Sequence, residues 1–250
     1  MVDPRLSQIE TLWSVVRQAH SDESEETSHA RAQLIERYSD AIQRYLMACL
    51  INQDAVDEVF QEFSLRFVRG DFSNVSADKG RFRSYIKTVI YHLVADYGRR
   101  KKKYAATALE HESMLAGDAD EGIQLDEQFQ TSWRDSLLGK GWEELKRNEE
   151  ETGKAWHTVL SARAENPQLK SPELAALVSE KVGREVTAGN LRVLVHRARE
   201  RFAEILIELV RDSLATTDEE SLEHELIDLN LWQYCKPLLR PSDNKNEPSS

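Results

Sequence analysis

The residues best suited to chemistry in this chain are cations set among aromatic rings. Lys79-Gly80-Arg81-Phe82-Arg83-Ser84-Tyr85-Ile86-Lys87 interleaves charge with rings, and Arg99-Arg100-Lys101-Lys102-Lys103 is an unbroken run of cations. Cations neutralise phosphates and release counterions. Aromatic faces stack on unpaired bases, each worth about 1–3 kcal/mol. The combination suits a single or melting strand better than an intact duplex. Dipole compensation at a helix end would account for some of the terminal run, but nine cations within 79–104 exceed what a helix end requires. Phe82 opens an apolar stripe and belongs to a core, which leaves Tyr85 as the more exposed ring.

A second basic stretch lies at 181–201 and has the pattern of a helix-turn-helix. Leu174, Ala175, Leu177 and Val178 give the first helix an apolar face, Gly183 sits at the turn, and Thr187-Ala188-Gly189-Asn190-Leu191-Arg192 opens the second helix. Such a helix presents its first side chains to base edges in a major groove, with its backbone amides near phosphate. Leu191, Leu194, Val195 and Ala198 face inward. Asn190, Arg192, Val193, His196, Arg197 and Arg199 remain outside or at the rim. Arg suits guanine and Asn suits adenine. A purely structural helical hairpin would show the same apolar pattern.

Catalytic chemistry has little support. The sequence contains no Gly-rich phosphate loop, HExxH or GxSxG. None of the seven histidines has metal-ligand spacing, and acidic runs such as Glu149-Glu150-Glu151 read as solvated faces. The expectation is a non-enzymatic chain without cofactor or metal. Cys49 and Cys235 are far apart in sequence, which fits a reducing cytoplasm. Apolar runs are too short to span a bilayer, and Met1 leads into Asp3-Pro4-Arg5 without an apolar signal segment. The expected location is therefore cytoplasmic, with no membrane insertion.

Helices must position these residues. Gly 10 and Pro 6 in 250 residues is sparse punctuation, which favours helices over a turn-rich β fold. Leu34, Ile35, Tyr38, Ile42, Tyr45 and Leu46 recur at helical spacing within Arg31–Leu50. Asp54 is expected to cap the next helix, with Asp57 as the carboxylate of a capping box. Val56, Val59, Phe60, Phe63 and Phe67 form that helix's apolar face. A third helix runs from about Lys79 to Arg100, with Phe82, Ile86, Val89, Ile90, Leu93 and Tyr97 as its buried stripe. Periodicity is lost over 105–127, which reads as an acidic linker, and it returns at Phe129-Trp133-Leu137. Ser171 is expected as an N-cap before Pro172, Gly183 as a C-terminal cap, and Thr187 as the cap of a long helix to about Leu214. Asp218 would start a last helix, Leu222 to Tyr234, whose apolar side is expected to pack on the second domain.

The fold class expected is all-α, with two small helical domains joined by an acidic linker, the second containing the helix-turn-helix. The divisions are an N-terminal segment 1–27, a first domain 28–104, a linker 105–129, a second domain 130–212 and a C-terminal extension 213–250. The net charge of -11 argues against a nucleic-acid binder only if it is spread evenly, and it is not. Residues 79–104 carry +8 and 181–201 carry +4, while 1–62, 105–152 and 202–234 carry -7, -9 and -8. Screening beyond roughly 8 Å makes a polyanion respond to such local patches more than to the average.

The segment Asp54-Ala55-Val56-Asp57-Glu58-Val59-Phe60-Gln61-Glu62-Phe63, then Lys79 to Ile86, then Asp96 to Arg100, resembles region 2 of bacterial extracytoplasmic-function (ECF) sigma factors. Gly189 to Arg192 followed by Val195 to Phe202 resembles the recognition helix of region 4. The order and the intervening linker also match. The two ends of the chain are similar to a long variant associated with planctomycetes. The resemblance implies partners, core RNA polymerase and promoter DNA, and a role in initiating transcription. It implies that Asp57, Phe60, Gln61 and Glu62 dock on the polymerase. It further implies that Lys79, Arg81, Arg83, Tyr85, Lys87, Arg99 and Arg100 hold the minus-ten strand. Arg184, Thr187, Asn190, Arg192, His196, Arg197 and Arg199 would meet the minus-thirty-five element. The turn before Gly189 is longer than is usual in the family, by Arg184-Glu185-Val186. Two rivals remain: a helix-turn-helix regulator that does not bind polymerase, and a metal-dependent enzyme acting on nucleic acid. Control by an anti-sigma protein, by a kinase or by the C-terminal extension is equally open at this level.

Overall fold

The computed structural model describes residues 13, 15, 16, 25–72, 81–105, 119–215 and 218–239. The described residues form helices and no strand, as an all-α class requires; Arg81 and Leu214 make one isolated antiparallel bridge. The helices with defined bounds are α1 (Glu25–Cys49), α2 (Gln53–Arg69), α3 (Phe82–Ala105), α4 (Ala119–Thr152), α5 (Trp156–Glu165), α6 (Ser171–Val182), α7 (Ala188–Arg211), α8 (Glu219–Asp228) and α9 (Trp232–Leu239). They divide between two compact units. One comprises the chain up to Ser136 together with Val210–Leu229, and the other comprises Leu137–Leu209 and the residues from Asn230 onward.

The first unit is built on an aromatic core. α1 begins with Glu25 and Glu26, which face the positive end of its dipole, and buries Leu34, Tyr38, Ala41, Ile42, Tyr45 and Leu46. The cap of α2 is Asn52 rather than Asp54. Asn52 has the extended backbone of a cap (φ -135, ψ 158), and its side chain accepts a hydrogen bond from the Ala55 N–H at 2.8 Å. Asp54 already lies within the helix. Asp57 accepts from Gln53 Nε2 at 2.7 Å and closes no capping box. α2 ends at Gly70, whose φ of 79 is left-handed and suits glycine. The Arg31 guanidinium lies over Gly70, 2.8 Å from where a Cβ would stand, and donates to the Val68 carbonyl. Phe63, Phe67 and Phe82 join Tyr38 in the core, and Trp13 packs against Phe82 with ring centroids 5.1 Å apart.

Two further segments complete this core. The helix expected to begin near Phe129 begins at Ala119, so part of the expected linker is helical; 106–118 lie outside the described residues. Phe129 and Trp133 are buried and anchor this helix, since a packed apolar face supplies what propensity alone does not. The Trp133 ring stacks on Tyr38 at 4.4 Å and 12°. The C-terminal stretch 210–229 contributes Leu214, Leu222 and Leu226, all buried. The expectation that the final apolar helix packs on the second domain is therefore corrected: α8 belongs to the first unit. It also ends early, at Asp228. Asn230, with φ 56, breaks the run before α9, and Asn tolerates that conformation better than most residues. Asp218 caps α8 as expected, accepting from Ser221 N–H at 2.7 Å.

The second unit packs α5, α6 and the start of α7 around Val159, Ala162, Leu174, Ala175, Val178, Val186 and Leu191. A second cluster joins Leu145, Leu160, Ala198 and Ile205, with Trp142 and Phe202 against it. A Cβ at Gly141 would come within 3.0 Å of the Phe202 ring, so the small residue permits that approach. α6 starts one residue earlier than expected, with Lys170 rather than Ser171 at the cap; the Lys170 N–H donates to Glu173 Oε2 at 2.9 Å.

Candidate nucleic-acid and polymerase surfaces

The first basic stretch sits at the start of α3, and most of it is not free. Lys79 lies outside the described residues. Arg81 pairs with Glu225 at 3.1 Å and with Asp228. Arg83 makes a fork to Glu225, with Nε donating to Oε1 at 2.8 Å and Nη2 to Oε2 at 3.1 Å, and it reaches Asp228 Oδ2 at 3.4 Å. Arg81 and Arg83 are 8% and 6% exposed, and Glu225 is 0% exposed. Burial opposes the charge on Arg83, but hydrogen bonding and charge from Glu225, then Asp228, outweigh it, and its pKa rises. Backbone pairing fixes the approach, since the Phe82 N–H donates to the Ser213 carbonyl at 3.0 Å. Lys87 is partly exposed and pairs with Asp126 at 2.6 Å.

The expectation that Tyr85 is the exposed ring is corrected. Tyr85 is buried, its hydroxyl donates to the Phe72 carbonyl at 3.2 Å, and burial raises its pKa. Among the α3 tyrosines whose burial is described, Tyr91 is the exposed one, at 65%. Ser84, Thr88 and Tyr91 share the side of α3 away from the buried stripe. The signal for Tyr91 was present in the sequence: it falls between the stripe positions Ile90 and Leu93, whereas Tyr85 precedes Ile86, Val89 and Ile90 on the inner side.

At the other end of α3, Arg99 is exposed and pairs with Asp96. Arg100 donates to Glu62 Oε2 at 2.7 Å. That hydrogen bond holds the Glu62 carboxyl below the ordinary carboxylate range, helped by Arg66. On α2, Asp57 and Gln61 are exposed, while Phe60 and Glu62 are half-buried. The structure thus brings Glu62 together with Arg100, and leaves Asp57 and Gln61 open on the outer side of α2.

In the second unit, every residue expected at base edges or phosphate is exposed: Arg184, Thr187, Asn190, Arg192, His196, Arg197 and Arg199. Thr187 caps α7, its Oγ1 accepting from the Asn190 N–H at 3.2 Å. The long turn is anchored rather than loose. Gly183 takes φ 69, Val186 is buried, and the Val186 N–H donates to Ser179 Oγ at 2.9 Å. Arg192, His196 and Arg199 fall on one face at helical spacing, and His196 Nδ1 lies 3.2 Å from Glu200. Beyond Phe202 the helix carries buried Ala203, Ile205, Leu206 and Ile207, and the side chains it leaves exposed there, Glu204 and Glu208, are acidic.

Residues 34–104 match the family model of Sigma-70 region 2. That match supports a sigma-70 family factor with a role in transcription initiation. The matched segment runs from the middle of α1 through α3, so it contains the Glu62–Arg100 pair and the basic start of α3, but neither α4 nor α8. No curated protein and no solved structure matches the chain. Among the described residues no group of three or more His, Cys, Asp or Glu is placed to hold a metal ion, and no helix is long and apolar enough to cross a membrane.

Proposed function

We propose that this chain is an ECF-type sigma factor: it binds core RNA polymerase, recognises promoter DNA through two surfaces and helps to open it. The observation that carries the reading is the order of parts. A region 2 match over 34–104 is followed by a helix, an anchored turn and a second helix whose first half is exposed and cationic. In this reading Asp57, Gln61 and the half-buried Phe60 and Glu62 meet the polymerase. The start of α3 and the Arg99–Arg100 end hold the minus-ten strand. Arg184, Thr187, Asn190, Arg192, His196, Arg197 and Arg199 meet the minus-thirty-five element, the pair α6–α7 serving as the helix-turn-helix. An anti-sigma protein or a kinase is a regulator that such a factor would accommodate.

Reconstituted transcription with core polymerase tests this. Promoter-dependent initiation that requires the chain is the expected result. Sequence-specific DNA binding without core binding or initiation would favour a regulator that uses α6–α7 alone. Cleavage or joining of DNA in Mg²⁺ without polymerase would favour an enzyme.

A further inference from the structure

The described cations at the start of α3 share one property: each is met by a carboxylate from outside the region 2 segment. Arg81 and Arg83 face Glu225 and Asp228 of α8, and Lys87 faces Asp126 of α4. Arg99 and Arg100, at the far end of the same helix, pair instead with Asp96 and Glu62 inside the segment. A guanidinium fork that binds a carboxylate through two parallel N–H···O bonds matches a phosphate in the same way. We propose that α8 is an internal competitor for nucleic-acid phosphate. Glu225 and Asp228 occupy the arginine pair in the free chain, and the strand must displace them.

The two carboxylates divide the work. Glu225 is fully buried and holds the Arg83 fork, while the Asp228 side chain is 43% exposed at the rim, where an incoming phosphate meets it first. Leu222 and Leu226 flank Glu225 on the buried side of α8, so release uncovers apolar surface and the closed form dominates in the free chain. The segment before α8 is held separately, by the Phe82–Ser213 backbone bond and the Arg37–Asp212 pair. A released α8 therefore stays tethered close to the arginines, at high effective concentration for reclosure. The proposal rests on the reading of Arg81 and Arg83 as strand contacts, and it explains how a chain with an exposed recognition surface on α7 would keep its other surface silent until engaged.

The test is a fluorescence-anisotropy titration of a labelled single-stranded oligodeoxynucleotide with the full chain at several salt concentrations. Glu225→Gln with Asp228→Asn should tighten binding by about tenfold or more, because the closed form loses charge-assisted bonds. The log–log salt slope should also steepen, because in the unmodified chain salt helps to open the two ion pairs and so offsets part of the loss of phosphate contacts, an offset the variant lacks. Glu127→Gln with Glu220→Gln changes net charge equally but touches neither arginine, and should leave the slope as it is. Unchanged binding, or an equal gain in that control pair, overturns the proposal. If the double variant loses helical content, Asp228→Asn alone should shift affinity and slope the same way by a smaller amount. Amide exchange over 219–228 in the unmodified chain should also speed up when the oligonucleotide saturates it, and unchanged exchange overturns the idea. Initiation with core polymerase alongside unaltered binding by the variants would remove only the competitor. Absence of initiation by the unmodified chain would remove the sigma-factor reading instead.

Discussion

Trp133 is the strongest single test of how the first unit is assembled. Its ring is fully buried, stacks on Tyr38 at 4.4 Å, and lies 5.8 Å from Phe82 and 5.7 Å from Phe129. Truncating a buried Phe or Trp to Ala costs about 3–5 kcal/mol through lost transfer energy and the cavity left behind. The three ring contacts place Trp133→Ala in the upper part of that range, since aromatic pairs add about 0.5–1.5 kcal/mol beyond area. A loss of about 4 kcal/mol is a large fraction of the ~5–15 kcal/mol typical of a folded domain. Trp133→Phe is the informative partner. The indole Nε1 is buried without a hydrogen-bond partner, so Phe removes an unsatisfied donor while keeping most of the ring. Its cost should be about 1 kcal/mol or less. Urea denaturation followed by far-UV circular dichroism measures both. A loss below about 1 kcal/mol for Trp133→Ala, with an unchanged m-value, would refute the packing of Trp133 in the core of the first unit.

Three other outcomes are expected. Asn52→Ala should cost about 1 kcal/mol by removing the α2 cap, whereas Asp54→Ala should cost clearly less, both read from denaturation midpoints. Glu62 titrates below its ordinary value of 4.5 because of Arg100 and Arg66. The stability it contributes is therefore present above that value and is lost as pH falls through the lowered folded value. The stability difference between the unmodified chain and Glu62→Gln should shrink on acidification below pH 4.5, and Arg100→Ala should move the Glu62 titration upward by NMR. Burial raises the pKa of both Cys49 and Cys235 to about 11. At pH 8 both thiols should react slowly with a disulfide reagent in the native chain and rapidly in urea; fast native labelling would contradict the burial of Cys235 or the partial burial of Cys49.

Much of the fold was legible in local pattern. The stripe Phe82, Ile86, Val89, Ile90 and Leu93 is buried as its spacing requires, though its last expected member, Tyr97, is only half-buried; Gly183 ends its helix and Thr187 and Asp218 open theirs as their chemistry predicts. The outward residues of α7 were legible for the same reason, because Leu191 and Ala198 orient the helix and leave Asn190, Arg192 and His196 outside. The misplaced caps at Asn52 and Lys170 are one- or two-residue shifts decided by backbone conformation. The exposed role given to Tyr85 failed because it sits on the inner side of α3, where the Phe72 carbonyl takes its hydroxyl.

By itself the sequence determined the helical class, the faces of the helices and the two basic stretches, since each depends on residues within a few turns of one another. Only the tertiary structure decided which basic surface is open. Arg83 meets Glu225 across 142 positions and Arg81 meets Asp228 across 147. No periodicity or charge count selects those partners among so many carboxylates. The choice follows from Leu214, Leu222 and Leu226 burying themselves in the first unit and carrying the acidic side chains of α8 to the arginines. A buried charge must then find its counter-charge on whichever element the core brings to it.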